Sequence, residues 1–145
     1  ARNIATSESI KAYVDAEHYH AYNGGSYWGT SSLRYIPFSG STSEQTSRAY
    51  NRDYISQIIM PYDGNVMKLY LYNDHQSVSD PGSTDVTVWK NGSSGDSDTQ
   101  ALGYRTAVLF SLDENFSAGD RIQIAIDPSG TIRYLTHNLL VKFDA

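Results

Sequence analysis

Hydrophobic and polar positions alternate over several short segments after residue 32, which is the pattern of half-buried β-strands. The strictest alternation covers residues 121–127, where Ile122, Ile124 and Ile126 share one face. A longer segment, residues 131–143, places five side chains on one face: Leu135, His137, Leu139, Val141 and Phe143. The same period predicts strands at residues 66–72 and 85–90, and short segments rich in apolar residues predict further strands at 33–38, 54–60 and 104–112.

Turn residues separate these segments, and their spacing indicates the fold class. The segments Pro61–Gly64, Ser117–Asp120 and Asp127–Gly130 have the composition of turns, and in the first of them Pro61 presets the bend and Gly64 is expected to accept a positive φ. Short strands at intervals of about 8–14 residues are typical of sandwiches. We therefore predict an all-β, jelly-roll-like antiparallel β-sandwich. We expect Met67, Leu69 and Leu71 to face inward and the segment 104–112 to be an interior strand. The apolar segment 131–143 should lie either inside a sheet or against a neighbouring subunit.

The beginning of the chain has a different period. Thr6 or Ser7 can cap a helix, and Ile10, Tyr13 and Val14 then fall on one face. A helix this short is unstable alone in water, so its apolar stripe must pack on other copies of the chain or on its own β domain. We favour oligomerisation through Ile10, Tyr13 and Val14. The predicted division is a helical neck at 1–21, a Gly/Ser linker at 22–32 and a β-sandwich head at 33–145.

Two sets of motifs resemble one family. Ala5, Thr6, Tyr13, Val14 and Asp15 resemble a junction found before the C-terminal modules of bacteriophage tail fibres and other virion proteins. The ordered series at residues 60–64, 88–92 and 115–122 is similar to β modules that end such fibres, and less closely to the heads of complement and tumour necrosis factor-like trimers. The resemblance implies a trimeric jelly-roll module on the surface of a virion.

Composition excludes several partners. The 145 residues carry 11 basic and 16 acidic side chains, for a net charge of −5, and the basic residues are scattered. Nucleic acid binding needs a positive stripe, so we expect no nucleic acid partner. There is no cysteine for a disulfide or a thiolate site. No apolar run has membrane-spanning length, so we expect no membrane insertion.

One pair of histidines is a candidate metal site. His18 and His20 are two residues apart, and in extended backbone both rings would point to the same side. Three copies around an axis would offer an octahedral site for a transition metal. If the segment is helical, the rings diverge and the two histidines are polar neck residues. Apart from this site we expect no cofactor. His137, on an apolar face, we interpret as a hydrogen-bonded core residue.

The sequence lacks recognised catalytic signatures. It contains no nucleophile elbow, zinc-protease motif, phosphate loop or dinucleotide fingerprint. The acidic loops do not match a twelve-residue calcium loop. We therefore predict that the chain is not an enzyme; a fragment of a carbohydrate-active enzyme remains a third class of hypothesis.

Aromatic and amide side chains in loops are the candidate ligand-binding residues, because loops on a rigid scaffold carry recognition. The chain has 12 tyrosines, which are enriched where surfaces meet other molecules. The candidates occupy the linker and the predicted loops 73–84 and 91–100: Tyr27, Trp28, His75, Gln76, Asp80, Asn91, Asp96 and Asp98. For Tyr70, Tyr72 and Trp89 we favour packing between subunits.

These observations lead to two functional hypotheses. The first is a non-enzymatic virion module, the C-terminal receptor-binding domain of a homotrimeric tail fibre, which attaches to a host cell-surface glycan or protein. The alternative is a capsid decoration or cement protein that binds the head lattice. Both place the chain in the virion, on a tail fibre or the capsid surface, in contact with other virion proteins. Fibre repeats upstream of Ala1 would favour the first, and a start codon near Ala1 the second.

Overall fold

The computed structural model describes residues 18–38, 53–74 and 80–144, and these form an all-β domain. Within them one helical turn, α1 (Asp53–Ser56), accompanies nine strands. The strands are β1 (Tyr19–Thr30), β2 (Arg34–Tyr35), β3 (Ile58–Ile59), β4 (Gly64–Asn73), β5 (Gly82–Lys90), β6 (Ser93–Leu102), β7 (Ala107–Phe116), β8 (Arg121–Pro128) and β9 (Ile132–Phe143). The predicted neck residues Ile10, Tyr13 and Val14 lie outside the described residues.

The strands form two sheets, and every strand pair is antiparallel. Sheet A has the order β1-β9-β4-β7, and sheet B has the order β2-β8-β5-β6, with β3 also paired to β8. From β4 onward the chain runs A, B, B, A, B, A, so each sheet contains strands distant in sequence. The predicted all-β antiparallel class is confirmed.

A single hydrophobic cluster joins the inner faces of the two sheets. Ile122, Ile124 and Ile126 from sheet B are completely buried, as their alternation predicts. Leu139 and Val141 from β9 are also completely buried, in a strand between β1 and β4. The expectation that the apolar final strand lies inside a sheet is confirmed. This position removes the unpaired edge that would make an apolar strand prone to aggregation.

The inward face predicted for β4 is partly wrong because the strand contains a bulge. Its pairing with both neighbours shifts register between Val66 and Lys68. An extra residue at a bulge reverses the alternation on one side of it. As a result Val66, Leu69 and Leu71 all face the core, whereas Met67 is only half-buried. A strict period of two cannot place residues correctly on both sides of such an insertion.

The linker predicted at residues 22–32 is wrong over most of its length. Residues 19–30 are strand β1, which pairs with β9 from Tyr19↔Lys142 to Tyr27↔Tyr134. Residues 19–21, assigned by sequence to the helical neck, belong to the same strand. The glycines of this segment suggested a linker. They are tolerated in β1 because it is an edge strand whose backbone is held by hydrogen bonds to β9.

Three further predictions of secondary structure are corrected. Residues 54–60 form the end of α1 and the short strand β3 rather than one strand. The predicted loop 91–99 is largely β6, a polar edge strand without the apolar alternation that reveals a half-buried one. Strand β7 lies at the edge of sheet A, not at its centre. None of the helices in the described parts of the chain is long and apolar enough to cross a membrane.

The strand ends define two opposite ends of the domain. The end at which the described chain begins, at His18, is called the proximal end. There the His18 carbonyl accepts a hydrogen bond from the Phe143 N–H, and the turns that contain Asp63 and Gly119 lie at the same end. The distal end contains Thr30 at the end of β1, Asn73 at the end of β4 with Asp74 after it, and residues 102–105. Tyr19 and Tyr27 are eight positions apart in β1, which corresponds to roughly 26 Å along the strand.

Candidate ligand site

Two tyrosines from neighbouring strands meet on the outer face of sheet A at its distal end. Tyr27 in β1 is the register partner of Tyr134 in β9, and their ring centroids are 5.5 Å apart with the planes inclined at 53°. Both rings are exposed, Tyr27 at 43% and Tyr134 at 53%. Aromatic rings that remain this exposed offer apolar contact area together with a polar hydroxyl.

The Tyr27 ring is held in place from two sides. Arg133 Nη1 donates a 3.0 Å hydrogen bond to the tyrosine hydroxyl, and its guanidinium lies 5.9 Å from the ring centroid. Gly29 has a φ of +61°, and a Cβ there would meet the Tyr27 hydroxyl at 2.6 Å. A glycine at position 29 therefore allows both the backbone turn and the close approach of the Tyr27 side chain.

An open depression of about 330 Å³ lies beside this pair of rings. Its lining comes from the ends of three adjacent strands of sheet A: Gly25, Ser26, Tyr27, Asp74, Tyr134, Leu135 and Thr136. Gly25 leaves room on this surface because it has no side chain. A Cβ at Gly25 would meet only the Leu135 carbonyl oxygen at 3.6 Å, an ordinary contact.

Asp74 is the one charged residue in the lining. Its Oδ1 accepts a 2.7 Å hydrogen bond from Arg105 Nε, and its backbone N–H donates to the Tyr134 carbonyl at 2.8 Å. The hydrogen bond with Asp74 raises the pKa of Arg105, and the neighbouring Tyr104 ring adds to the effect. A carboxylate has about four lone-pair sites, so the Asp74 carboxylate can accept further hydrogen bonds while Arg105 holds it.

The structure supports Tyr27 as an exposed candidate but not Trp28. Successive residues of a strand point to opposite faces, so Trp28 faces the core and is only 2% exposed. Its indole Nε1 donates to Ser26 Oγ at 2.8 Å, which satisfies the polar atom of a buried ring. The prediction that Trp28 contacts a ligand is therefore wrong.

The remaining loop candidates lie at different ends of the domain. His75 and Gln76 lie outside the described residues. Asp80 is exposed at the distal end, before β5. Asn91, in contrast, lies in the proximal β5–β6 turn, where it bonds Asp120 Oδ1 and accepts the Arg121 N–H. Asn91 and Tyr27 therefore cannot contribute to one small site.

Asp96 and Asp98 have structural partners on the neighbouring sheet. Both lie in β6 rather than in a loop, and their carboxylates accept backbone N–H groups of the β7 edge. Asp113 N donates to Asp96 Oδ2 at 2.8 Å, and Ser111 N donates to Asp98 Oδ2 at 2.9 Å. These bonds join the edges of sheets A and B, which explains both aspartates without a ligand.

The two histidines of the predicted metal site flank the first residue of β1. The His18 carbonyl accepts the Phe143 N–H at 2.8 Å, and Tyr19 and His20 pair with β9, so the segment is extended rather than helical. The His20 ring packs edge-on against Tyr22 at 4.4 Å. Within the parts of the chain that the structure describes, no three His, Asp or Glu side chains form a group that could hold a metal. A site shared between copies stays a prediction.

His137 is a buried imidazole in the core of sheet A. It is 1% exposed, its ring packs edge-on against Phe38 at 5.4 Å, and Gly24 lies against it. Neither ring nitrogen has a hydrogen-bond partner among the described residues, which corrects the expectation of a hydrogen-bonded core histidine. Burial lowers the pKa of His137 from 6.5 to about 4, because an apolar environment disfavours the charged form.

Five residues that form this site are not among the candidates predicted from the sequence: Gly25, Asp74, Arg133, Tyr134 and Thr136. Tyr134 and Thr136 alternate with the buried residues of β9, so the period of two already placed them on an outer face. Their proximity to Tyr27 depends on the pairing of β1 with β9. That pairing was hidden because the β1 segment has the composition of a linker.

Comparison with known proteins adds little. No protein-family model matches the chain, and no curated protein matches it. A solved structure with some similarity is dimeric latent PorU from Porphyromonas gingivalis, at 11% sequence identity and a TM-score of 0.33. The match covers 86% of this chain but only 13% of PorU. A similarity this low says nothing about what the present chain binds.

Proposed function

We propose that this chain is a non-enzymatic virion module, the receptor-binding domain at the C-terminal end of a trimeric tail fibre. The observation that supports this function most is the separation of two features along sheet A. The preceding residues join the domain at its proximal end, at His18, and the exposed Tyr27–Tyr134 depression lies at the distal end. A module attached at one end and open at the other is suited to contact a surface beyond the fibre.

The proposal includes a finer description of the fold. The strand order β1-β9-β4-β7 in one sheet and β2-β8-β5-β6 in the other, with repeated crossing of the chain between the sheets, supports a jelly roll. In this proposal the helical neck predicted from the sequence at residues 1–21 associates three copies through Ile10, Tyr13 and Val14. In a cyclic trimer all copies present the same end in the same direction, so three depressions would face the host together.

Adhesion by three weak sites accounts for attachment without a deep pocket. Linked copies bind a repetitive surface with an avidity about 10²–10⁴ times that of one site. The cell surface glycans of a host are repetitive, so a shallow site is sufficient for a trimer.

The test is retention of the labelled chain on intact bacteria and on an array of purified bacterial surface polysaccharides, with mass spectrometry of the supernatant. We expect retention on a subset of polysaccharides without release of shortened product. If the chain is retained on phage heads but on no bacterial surface, the host-attachment proposal is wrong and the capsid-decoration hypothesis is favoured. Release of cleaved saccharide would contradict the non-enzymatic proposal.

A further inference from the structure

We propose that the Tyr27–Tyr134 depression binds one neutral hexopyranose ring of a glycan. This inference deepens the proposed function and rests on it for its biological role. Three features of the depression support this inference: its apolar platform, its polar acceptors and its size.

The platform consists of the two exposed tyrosine rings. The face of a pyranose ring that carries axial C–H groups is apolar and packs against an aromatic ring, while its hydroxyls remain at the edge. Tyr27 is held by Arg133 and Gly29 before any ligand arrives. A held ring loses little conformational entropy on binding, which reduces the cost of association.

The polar groups lie beside the platform. The Asp74 carboxylate, fixed by Arg105, and the Thr136 side chain on the outer face of β9 both line the depression. The Asp74 carboxylate can accept hydrogen bonds from the hydroxyls of a neutral sugar. A uronic acid would instead place its own carboxylate beside that of Asp74, and the two negative charges would repel each other. The site therefore favours a neutral sugar over an acidic one.

The size of the depression selects a single ring. Its volume of about 330 Å³ is at the lower limit of ligand pockets, which run from about 300 to 1,000 Å³. The lining is open to solvent on one side, so the neighbouring sugars of a chain can extend away from it. One copy should bind with a Kd of about 1 mM, equivalent to roughly 4 kcal/mol.

Gly25 provides a variant that blocks the site with little strain. Its backbone is extended in β1, and the Cβ of a new side chain would make only an ordinary contact with the Leu135 carbonyl oxygen. Gly25→Val places a β-branched residue where strands favour one, so the domain should fold at least as well. Its side chain would occupy the surface between the two tyrosines and Thr136.

The experiment is an NMR titration of the ¹⁵N-labelled chain with methyl glucoside, galactoside, mannoside and rhamnoside, and with glucuronic acid. At least one neutral glycoside should shift the backbone amides of Gly25, Tyr134 and Thr136. Glucuronic acid should not shift them. Gly25→Val and Tyr134→Ala should each abolish the shifts. Tyr62→Ala removes a more exposed tyrosine ring, at 64% exposure, from the proximal end and should leave the affinity unchanged.

Three results would overturn the inference: no shift with any neutral glycoside up to about 50 mM, shifts confined to the proximal end, or full binding by Gly25→Val. Failure of this site is distinguishable from failure of the proposed function. If bacterial polysaccharides retain Gly25→Val as strongly as they retain the parent chain, the proposal of host attachment stands and the proposed glycan site is wrong. If glycosides bind the depression but no bacterial surface retains the chain, the site stands and host attachment is wrong.

Discussion

Asp98 and Ser111 connect the two sheets of the domain at one side: the Ser111 backbone N–H donates to Asp98 Oδ2 at 2.9 Å. Asp113 and Asp96 repeat the contact two residues further along each strand. Strand β7 is an edge strand of sheet A, and unpaired N–H groups on an edge can recruit another chain. The carboxylates of Asp96 and Asp98 accept hydrogen bonds from these N–H groups. Their role is therefore to satisfy the β7 edge of sheet A so that it does not pair with another chain.

We therefore predict that replacing both Asp96 and Asp98 by Ala lowers the free energy of unfolding by about 2 kcal/mol, at about 1 kcal/mol for each of the two hydrogen bonds lost between the sheets. Urea denaturation followed by circular dichroism measures this change. Ser97→Ala, between them on the same strand, is the control and should change stability little. If the double variant is as stable as the parent but loses ligand binding, the aspartates belong to a site after all.

The buried His137 should make stability depend on pH. The unfolded chain takes up a proton at this residue below pH 6.5, whereas the folded chain does so only near pH 4. Stability is therefore complete above pH 6.5 and is lost as the pH falls to about 4, by about 3 kcal/mol in total. Urea midpoints measured at several pH values would follow this loss.

His137→Leu is the matched variant, because Leu fills the space between Phe38 and Gly24 without a titrating group. It should remove the part of the acid destabilisation that is due to the imidazole. A stability curve of the same shape for both proteins would show that other groups cause the acid sensitivity.

The turn before β8 requires glycine at position 119. Gly119 has a φ of +88°, which side-chain-bearing residues rarely adopt, although open space surrounds it. Gly119→Val should lower the free energy of unfolding by about 2 kcal/mol through backbone strain alone. Thermal melting measures the effect.

Gly103 supplies the comparison for this variant. A Cβ at Gly103 also meets open space, but no left-handed φ constrains the residue. Gly103→Val should therefore melt close to the parent protein. Equal melting temperatures for the two valine variants would contradict the strain argument.

Trimer formation through the first residues of the chain is predicted from sequence alone. Ile10→Asp or Val14→Asp should convert the trimer, three times 16.1 kDa, to single chains that keep their strand content. Sedimentation velocity and circular dichroism together measure this. Ile59→Asp changes a hydrophobic residue that is already 68% exposed and should leave the trimer intact. A trimer that persists in the neck variants assigns association to another surface.

The sequence predicted those strands whose two faces differ. The buried face of β9 follows a strict period because one side of the strand meets the core and the other does not. In β8, Ile122, Ile124 and Ile126 alternate with other residue types, although Gln123 and Ala125 between them are also buried. The bulge at Met67 and the polar edge strand β6 were missed, since neither an inserted residue nor a strand without an apolar face produces that period.

The site was predicted only in part for a related reason. Tyr27 was found by its residue type, but Tyr134 and Asp74 join it only through pairing between strands that are distant in sequence. Trp28 was assigned to a ligand because its segment has a linker composition, and strand alternation instead directs it into the core. Composition gives the residue types of a surface, and register decides which of them meet.

The most direct test of host attachment is biolayer interferometry of the full chain on immobilised bacterial surface polysaccharides, with Gly25→Val on the same sensors. The account predicts slow dissociation of the parent chain from at least one polysaccharide, and loss of that signal in Gly25→Val. Absence of parent binding to every bacterial polysaccharide, while the chain is folded and trimeric, would contradict it.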